Sequence, residues 1–321
     1  MRVAVPILLT VLAGCVMHVP LSGDYHGPRS LPPAILAEVP DDATVQVLVQ
    51  LEREVRDAPH FDLRRVTVPS NVEAGASIEF DYYDVDRAGR TPVIVLLPIF
   101  NGQLGITRYF ARYFANQGWA AIVVVRERDA LDGMFDPEEA IRANLMEYRR
   151  VLDWVEQQPE IDPGRIGLFG VSFGAMDAVM LTALDDRVDA LVVAMAGGDL
   201  ASLMMSTNYR RIVRRVDGML EDSGMSREGF QETLARRITT DPLALAPYVD
   251  ADRVLMIMTR TDAIVPLAMQ EALRAEMGAP ETLYLPTGHR PSIVYFPKVR
   301  SAAFEFYSRQ FAQSQIALAV N

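Results

Sequence analysis

The sequence is short of two reactive residue types: its 321 residues include one cysteine, Cys15, and one lysine, Lys298. One cysteine excludes an internal disulfide and any metal site built from several thiolates. One lysine leaves little room for a Schiff base or a serine–lysine pair. A formal net charge of −11 argues against binding to nucleic acid, because phosphate contacts need a basic surface. With 50% hydrophobic residues, the chain is too apolar to be disordered.

The sequence also lacks the usual motifs of cofactor and metal sites. It contains no His-Glu-x-x-His pair. The glycine-rich segment from Gly167 to Gly174 follows neither the Gly-x-Gly-x-x-Gly pattern nor the Gly-Lys-Ser/Thr pattern of nucleotide-binding loops. The sequence therefore predicts no cofactor and no metal.

The first fifteen residues have the pattern of an export signal. Arg2 precedes an apolar run from Val3 to Ala13, which is shorter than the ~20 residues that cross a bilayer. The run ends in Leu12-Ala13-Gly14-Cys15, which resembles the lipobox of bacterial lipoproteins. That resemblance implies cleavage after residue 14 and lipidation of Cys15; the alternative is an ordinary signal peptide with a chance cysteine. Val16, rather than aspartate, then implies the outer membrane in a host with two membranes, and a cell-envelope location in any host.

Residues 15–43 are predicted to form a lipidated tether, because they are rich in proline, glycine and small polar residues and show no sustained period. The tether contains His18 and His26, which are better explained as part of a solvated spacer than as metal ligands. The remaining residues, 44–321, are predicted to form one domain. Between Thr44 and Val55 alternating valines favour a strand, but a short helix is also plausible.

The body of the chain alternates buried strand patterns with helical patterns. Strands are predicted at Leu63–Val68, Ile78–Val85, Thr91–Phe100, Trp119–Val125, Ile166–Val171, Ala190–Ala196, Val254–Thr259 and Thr282–Leu285. Helices are predicted at 108–118, Pro137–Gln158, Gly174–Leu184, Pro266–Met277 and Tyr295–Gln313, with a helical insertion at 199–250. This order predicts an α/β fold with a mostly parallel central sheet flanked by helices, whose site lies at the carboxyl ends of the strands.

The segment Gly170-Val171-Ser172-Phe173-Gly174 lies where a strand pattern gives way to a helix pattern. A serine on such a tight turn has its hydroxyl at the carboxyl edge of the sheet. Only glycine fits two residues to either side, because strand and helix approach closely. A strained backbone is tolerated there for function, and the helix N-terminus favours developing negative charge. The segment therefore predicts a nucleophile at Ser172, the alternative being a chance match in a glycine-rich stretch.

A nucleophilic serine needs a base, and the positions of the four histidines narrow the choice. His18 and His26 lie in the predicted tether and His60 precedes the sheet, whereas His289 lies just past the last predicted strand, in a loop that Gly288 opens. A core or capping role is the alternative for this histidine. His289 is therefore the predicted base.

The histidine in turn needs a carboxylate, and two aspartates follow consecutive buried strands. Asp262 follows the strand before the one that delivers His289, so we expect it to be the acid. Asp199 begins the helical insertion, where we expect an ordinary N-capping role.

Three segments resemble the motifs of the α/β-hydrolase superfamily: GVSFG around Ser172, TRTDAIVP around Asp262 and TGHR around His289. The resemblance covers about Phe61 to Phe311, and its layout is most similar to the dienelactone-hydrolase and acyl-esterase branches. It implies a serine hydrolase in which the three residues act together, under a small helical cap at 199–250.

The oxyanion of an acyl-transfer intermediate needs two backbone donors. The amide of Phe173 is predicted to be one, and the amide of Phe100 or Asn101 the other. The loop reads Pro98-Ile99-Phe100-Asn101-Gly102, which departs from the His-Gly pair common in the superfamily. The Asn101 side chain is either a further donor or a turn residue.

Together these features predict an exported, membrane-anchored serine hydrolase that cleaves a small-molecule or lipid-like carboxylic ester. A thioesterase or amidase would use the same residues, and a surface lipoprotein that only binds is the competing class. Met204, Met205 and Tyr209 of the insertion line an acyl pocket or simply pack the cap. Three arginines near strand ends either receive an anionic substrate or form ordinary salt bridges; they are Arg126, Arg128 and Arg290.

Overall fold

The computed structural model describes residues 15–39, 47, 49, 51–58, 60–73, 75–126 and 131–320. Its central feature is a ten-stranded sheet in the order β1-β10-β9-β8-β7-β5-β6-β4-β3-β2. The strands are Met17–Val19 (β1), Leu51–Ala58 (β2), Phe61–Pro69 (β3), Ser77–Asp84 (β4), Thr91–Leu96 (β5), Ala120–Val125 (β6), Ile161–Val171 (β7), Ala190–Ala194 (β8), Val254–Thr259 (β9) and Glu281–Leu285 (β10). The six adjacent strands β10, β9, β8, β7, β5 and β6 are parallel. Strand β1 adds an antiparallel edge beside β10, and β4, β3 and β2 add antiparallel strands at the other side.

Helices cover both faces of the sheet, as the predicted α/β fold requires. They are Pro33–Glu38 (α1), Gly105–Asn116 (α2), Pro137–Glu156 (α3), Phe173–Leu184 (α4), Leu200–Ser206 (α5), Arg210–Ser223 (α6), Arg227–Arg237 (α7), Pro242–Leu245 (α8), Leu267–Glu276 (α9) and Phe296–Val320 (α10). Helices α2 and α10 pack together on one face, and α3 packs on α4 against the other. None of the helices in the described ranges is long and apolar enough to cross a membrane.

The core lies between the parallel strands and these helices. Strands β5, β8 and β9 are buried at every position, which is why they appear in the sequence as continuous apolar runs. Helix α4 is buried nearly all round and has no polar face. The nucleophile segment is therefore set between the buried end of β7 and a buried helix.

Strand β7 begins at Ile161, five residues before its predicted start, and two other strands end two or more residues before their predicted ends. Strand β5 ends at Leu96 rather than Phe100, because Pro98 has no amide hydrogen to continue the ladder and the chain turns at residues 99–102. Strand β8 ends at Ala194 rather than Ala196, because Met195 has a φ of 57°, a left-handed conformation that leaves the strand. Both early strand ends lie beside the candidate site.

Part of the predicted tether is attached to the body. Residues Met17–Val19 pair antiparallel with β10, and the Tyr25 hydroxyl donates to Asp250 Oδ1 over 2.9 Å and accepts from the Ala251 amide over 2.8 Å. Burial raises the pKa of Tyr25 to about 12. His18 contacts Glu281 at 2.9 Å, so this histidine lies on a protein surface rather than in a free spacer. Of the ambiguous segment Thr44–Val55, residues 51–55 belong to β2, while 44–46, 48 and 50 lie outside the described residues.

The insertion at 199–250 forms a cap of helices α5 to α8. Its first residue, Asp199, accepts a hydrogen bond from the Ser202 amide at 3.1 Å, which confirms the predicted N-cap of α5. Within the cap, the Asp241 carboxylate accepts from the amides of Asp199 at 2.9 Å and Leu200 at 2.7 Å. These bonds hold the start of α5 next to the start of α8.

Candidate active site

Ser172 lies at the sharp turn between β7 and α4. Its φ of 56° and ψ of −120° lie in a region that non-glycine residues avoid, at a cost of ~1–3 kcal/mol. The backbone is held there because the Ser172 amide donates to the Ala194 carbonyl over 2.8 Å, and its own carbonyl accepts from Ala175 over 3.0 Å. The fold thus maintains a strained residue at the edge of the sheet.

The two glycines of the segment are explained by close backbone contacts. A Cβ on Gly174 would lie 2.6 Å from the Leu97 carbonyl oxygen, and a Cβ on Gly170 would collide with the backbone of Gly174 and Ala175. Neither neighbour can move, because each is part of the core backbone. The turn therefore requires glycine on both sides of Ser172, as the sequence pattern indicates.

Asp262 and His289 meet at the ends of β9 and β10. Asp262 Oδ2 lies 2.8 Å from His289 Nδ1 and also accepts from Thr259 Oγ1 at 2.7 Å. Its Oδ1 accepts from the amides of Ile264 at 2.8 Å and Val265 at 3.0 Å. An ionised carboxylate only accepts hydrogen bonds, so Nδ1 of His289 carries a proton and Nε2 of the neutral ring is the acceptor.

The surroundings of Asp262 favour its ionised form. Burial alone would raise the pKa of its carboxyl, but the hydrogen bond and charge of His289, with the donors Thr259 and Val265, lower the pKa below the ordinary 3.8. The carboxylate therefore remains charged near neutral pH, where it can orient the histidine and stabilise a positive charge on it.

Ser172 and His289 line the same cavity, which has a volume of about 1070 Å³. The structure thus brings together a serine, a histidine and, behind the histidine, a carboxylate. Of the three cap residues for which both roles were open, Met204 and Tyr209 line the cavity. Met205 is buried and is not part of the cavity wall, so it packs the cap.

The predicted oxyanion residues Phe100, Asn101 and Phe173 line the same cavity. The ring centroids of Phe100 and Phe173 are 5.6 Å apart. The Phe173 amide begins α4 and so has no acceptor within the helix. Asn101 Oδ1 accepts from the Gln103 amide at 3.2 Å, and the Gly102 amide donates to the Ile99 carbonyl at 2.9 Å. The side-chain oxygen of Asn101 is therefore part of a turn, the second of the two expected roles.

Two supporting residues gave no signal in the sequence. Thr259 is fully buried and donates to Asp262, while its amide donates to Gln270 Oε1 at 3.2 Å. Gln270 is also fully buried, and its Nε2 donates to the Val265 carbonyl at 2.8 Å. Together they fix the loop that carries Asp262, but a threonine and a glutamine carry no spacing pattern that would identify them.

Of the three arginines near strand ends, Arg126 and Arg290 line the cavity and Arg128 lies outside the described residues. Arg126 forms a buried ion pair with Asp177, with 3.1 Å between Nη2 and Oδ2. Within the described ranges, no group of three or more histidine, cysteine or acidic side chains is arranged to hold a metal ion.

Solved structures with the same fold are widespread. An acetyl xylan esterase from Thermoanaerobacterium is 19% identical with a TM-score of 0.67, covering 86% of this chain and 90% of its own. An acetyl xylan esterase from Paenibacillus is 18% identical with a TM-score of 0.64, covering 87% and 92%. Acylaminoacyl peptidase from Pyrococcus horikoshii is 18% identical with a TM-score of 0.60, covering 81% of this chain and 44% of its own. The α/β-hydrolase fold is therefore shown.

Sequence comparison gives the family. No curated protein sequence matches the chain significantly. The family model described as X-Pro dipeptidyl-peptidase (S15 family) matches residues 33–247, which is more than half of the chain and includes the strained serine of the β7–α4 turn. The chain therefore belongs to the X-Pro dipeptidyl-peptidase (S15) family and is a serine hydrolase.

Proposed function

We propose that this protein hydrolyses carboxylic esters through an acyl-Ser172 intermediate, with His289 as the base and Asp262 as the carboxylate that orients it. The observation that carries the proposal is the 2.8 Å contact between His289 Nδ1 and Asp262 Oδ2, at the wall of the cavity that Ser172 also lines. This contact leaves His289 Nε2 as the only ring nitrogen able to take a proton.

The reaction proceeds in two steps, acylation of Ser172 and hydrolysis of the acyl-enzyme. In the first, Ser172 Oγ attacks the carbonyl carbon while His289 Nε2 accepts its proton. The ester C–O bond then breaks, and Nε2 returns the proton to the leaving alkoxide. In the second, a water attacks the acyl-serine with the same base, and the products are a carboxylic acid and free Ser172. The amide of Phe173 and the amide of Phe100 or Asn101 stabilise the oxyanion in both steps.

The cavity supports an apolar acyl group as the substrate. Most of its lining side chains are aliphatic, methionine or aromatic. Three large apolar side chains at its wall are also exposed, Val72 at 37%, Phe135 at 58% and Ile293 at 59%. Exposed apolar rims of this kind mark sites that bind apolar ligands. A lipid-like or medium-chain ester therefore fits better than an ester with a charged acyl group.

A peptide substrate is the second candidate, and acidic residues at the cavity favour it. Glu73, Asp136 and Glu139 are exposed and line the same cavity as Ser172, so a peptide bound there would meet carboxylates that favour its free ammonium group. The family description and the acylaminoacyl peptidase neighbour support the same candidate. The same serine, histidine and aspartate would then cleave an amide bond.

A substrate panel separates these candidates. The p-nitrophenyl esters of acetate, butyrate and octanoate are compared with glycyl-prolyl p-nitroanilide, with Ser172→Ala as the inactive control. The ester proposal predicts that kcat/KM rises about fourfold per methylene until the cavity is filled, from ~0.8 kcal/mol per buried methylene. Cleavage of the anilide alone would establish the peptidase. A folded protein that cleaves none of them would favour the surface-binding lipoprotein.

We also propose that the protein is exported and held on a membrane by lipid on Cys15. Cys15 is exposed and free, and it lies two residues before β1. The chain between a lipidated Cys15 and the edge strand β1 would thus span at most ~7 Å, which keeps the lipid close to the body. Incorporation of a fatty-acid analogue should mark the wild type, and equal labelling of Cys15→Ser would refute the anchor. Fractionation of a two-membrane host would test the outer-membrane location.

A further inference from the structure

Arg126 directly follows β6 and lies between the two turns that carry the predicted oxyanion donors. Its side chain is 6% exposed, and it lines the same cavity as Ser172. Nη1 donates to the Ile99 carbonyl at 3.4 Å, at the start of the turn that contains Phe100. Its Cζ lies 4.6 Å from the ring centroid of Phe173. One guanidinium therefore contacts both walls of the oxyanion site.

The other side of the guanidinium is anchored in the core. Nη2 donates to Asp177 Oδ2 at 3.1 Å and to the Tyr148 hydroxyl at 3.0 Å, and that hydroxyl donates to the same carboxylate oxygen at 3.0 Å. Asp177 lies four residues after Phe173 on α4, so the two side chains share one face of the helix. Arg126 thereby connects the start of α4, helix α3 and the turn at residues 99–102.

This arrangement is poorly optimised for stability. Arg126 Nε and Asp177 Oδ1 are buried without a hydrogen-bond partner among the described residues. Burial raises the pKa of Asp177 to about 6, against the opposing effects of Arg126 and the Tyr148 hydroxyl. Incompletely satisfied buried networks cost free energy, and where they occur beside a site they indicate a functional role.

A second buried arginine–aspartate pair, between α3 and the residue that follows α4, is more fully compensated. Arg149 follows Tyr148 on α3, and its Nε donates to Asp185 at 3.1 Å at the far end of α4. Asp185 also accepts from Arg187 Nη2 at 2.6 Å. Burial alone would raise the pKa of Asp185, but Arg187 and then Arg149 lower it below its ordinary value. This pair is not part of the cavity wall.

We propose that Arg126 is a positioning residue for the oxyanion site, which holds the Ile99–Gly102 turn and Phe173 at the spacing that lets both backbone amides donate to one oxyanion. This inference rests on the proposed function. We expect Arg126 to affect binding of the transition state and not of the ground state. It contacts the segments that carry the oxyanion donors, and its guanidinium is already hydrogen-bonded to Asp177 and Tyr148.

The test is Arg126→Met, measured with a cleaved p-nitrophenyl ester and with a phenylboronic acid that forms a tetrahedral anion on Ser172. A displaced oxyanion turn should lower kcat by ~10- to 100-fold and weaken boronate binding by a similar factor, while KM stays within about twofold. Arg126→Lys should fall between the wild type and the methionine variant, because an ammonium reaches either Asp177 or Ile99 but not both.

Arg149→Met is the matched control, since Arg149 is a similarly buried arginine whose aspartate partner directly follows α4. Both methionine variants should melt at lower temperature, but Arg149→Met should keep the wild-type kcat and boronate affinity. If Arg126→Met does not fold, Tyr148→Phe removes one anchor of the guanidinium without burying a new charge. That variant should lower kcat and boronate affinity in parallel, by ~3- to 10-fold.

Three outcomes overturn the inference. If the wild type is active but Arg126→Met has unchanged kcat and boronate affinity, the positioning role alone is refuted. If Arg126→Met does not fold, the same result in Tyr148→Phe refutes it. A rise in KM without a fall in kcat would make Arg126 a substrate-binding residue instead. A folded wild type that neither cleaves an ester nor binds the boronate overturns the proposed function, and with it this inference.

Discussion

Asp199 and Asp262 both follow strands of the parallel sheet, and the sequence around each permits the same role. In the structure Asp262 is 8% exposed and its carboxylate accepts four hydrogen bonds, one of them from His289. Asp199 is exposed and caps α5 through the Ser202 amide. Position at a strand end therefore identifies candidate catalytic carboxylates, whereas the hydrogen-bond donors around a carboxylate determine its role.

The largest expected effect is that of Asp262→Asn. Loss of the charge removes the stabilisation of a protonated His289 and the control of its tautomer, so kcat on an ester should fall by up to ~10⁴-fold in a protein that remains folded. Steady-state kinetics and circular dichroism measure the two quantities. Asp199→Asn is the control and should retain most activity. If Asp199→Asn loses the activity instead, the acid is Asp199.

The second-largest effect on activity is expected from removing one hydrogen-bond donor to Asp262. Thr259→Val keeps the shape of the buried side chain but deletes the hydroxyl that donates to Oδ2 at 2.7 Å. Loss of a hydrogen bond to a charged group costs ~1.5 kcal/mol, which corresponds to about a tenfold fall in kcat. Thr259→Ser, which keeps the donor, should recover most of the activity. An inactive Thr259→Ser would show that packing, and not the hydroxyl, matters.

A smaller effect on stability is expected at the other aspartate. Asp199→Ala removes the N-cap of α5, and the φ of 55° at this position disfavours alanine. The free energy of unfolding should fall by ~1–2 kcal/mol, measured by urea denaturation. Activity per folded molecule should change less than twofold. A larger loss of activity would mean that the first cap helix shapes the site.

The last effect is a pH dependence specific to Asp262. Because the pKa of its carboxyl is lower in the folded than in the unfolded protein, ionisation of Asp262 stabilises the fold above the unfolded value of about 4. That stabilisation is lost as the pH falls through the lower folded value. The difference in unfolding free energy between wild type and Asp262→Asn should therefore shrink from pH 7 toward about pH 3. A constant difference would contradict the assigned environment of Asp262.

The sequence predicts the central architecture well because the relevant signals are local. Strands buried on both faces appear as apolar runs, and β9 has the predicted boundaries Val254–Thr259. The site residues follow from the same logic, since Ser172, Asp262 and His289 each lie within four residues of the end of such a strand. The assignment of Ser172, His289 and Asp262 to catalysis itself stays a prediction.

Contacts between distant segments could not be predicted in this way. Strand β1 has three residues in a proline-rich stretch and pairs with β10, more than 260 residues away, so no periodicity indicates it. The partner of Arg126, Asp177, lies in the middle of a helix that reads as uniformly apolar. Such pairs depend on how elements pack in three dimensions, which spacing in one chain does not encode.

The measurement that tests the central claim most directly is covalent labelling with a fluorophosphonate, followed by peptide mass spectrometry. The reagent forms a stable bond only with a serine that a neighbouring base activates. The account predicts one adduct, on Ser172, in the wild type and in Asp199→Asn, much slower labelling in Asp262→Asn, and none in Ser172→Ala. A folded wild type that carries no adduct, or carries it on another residue, would contradict the account.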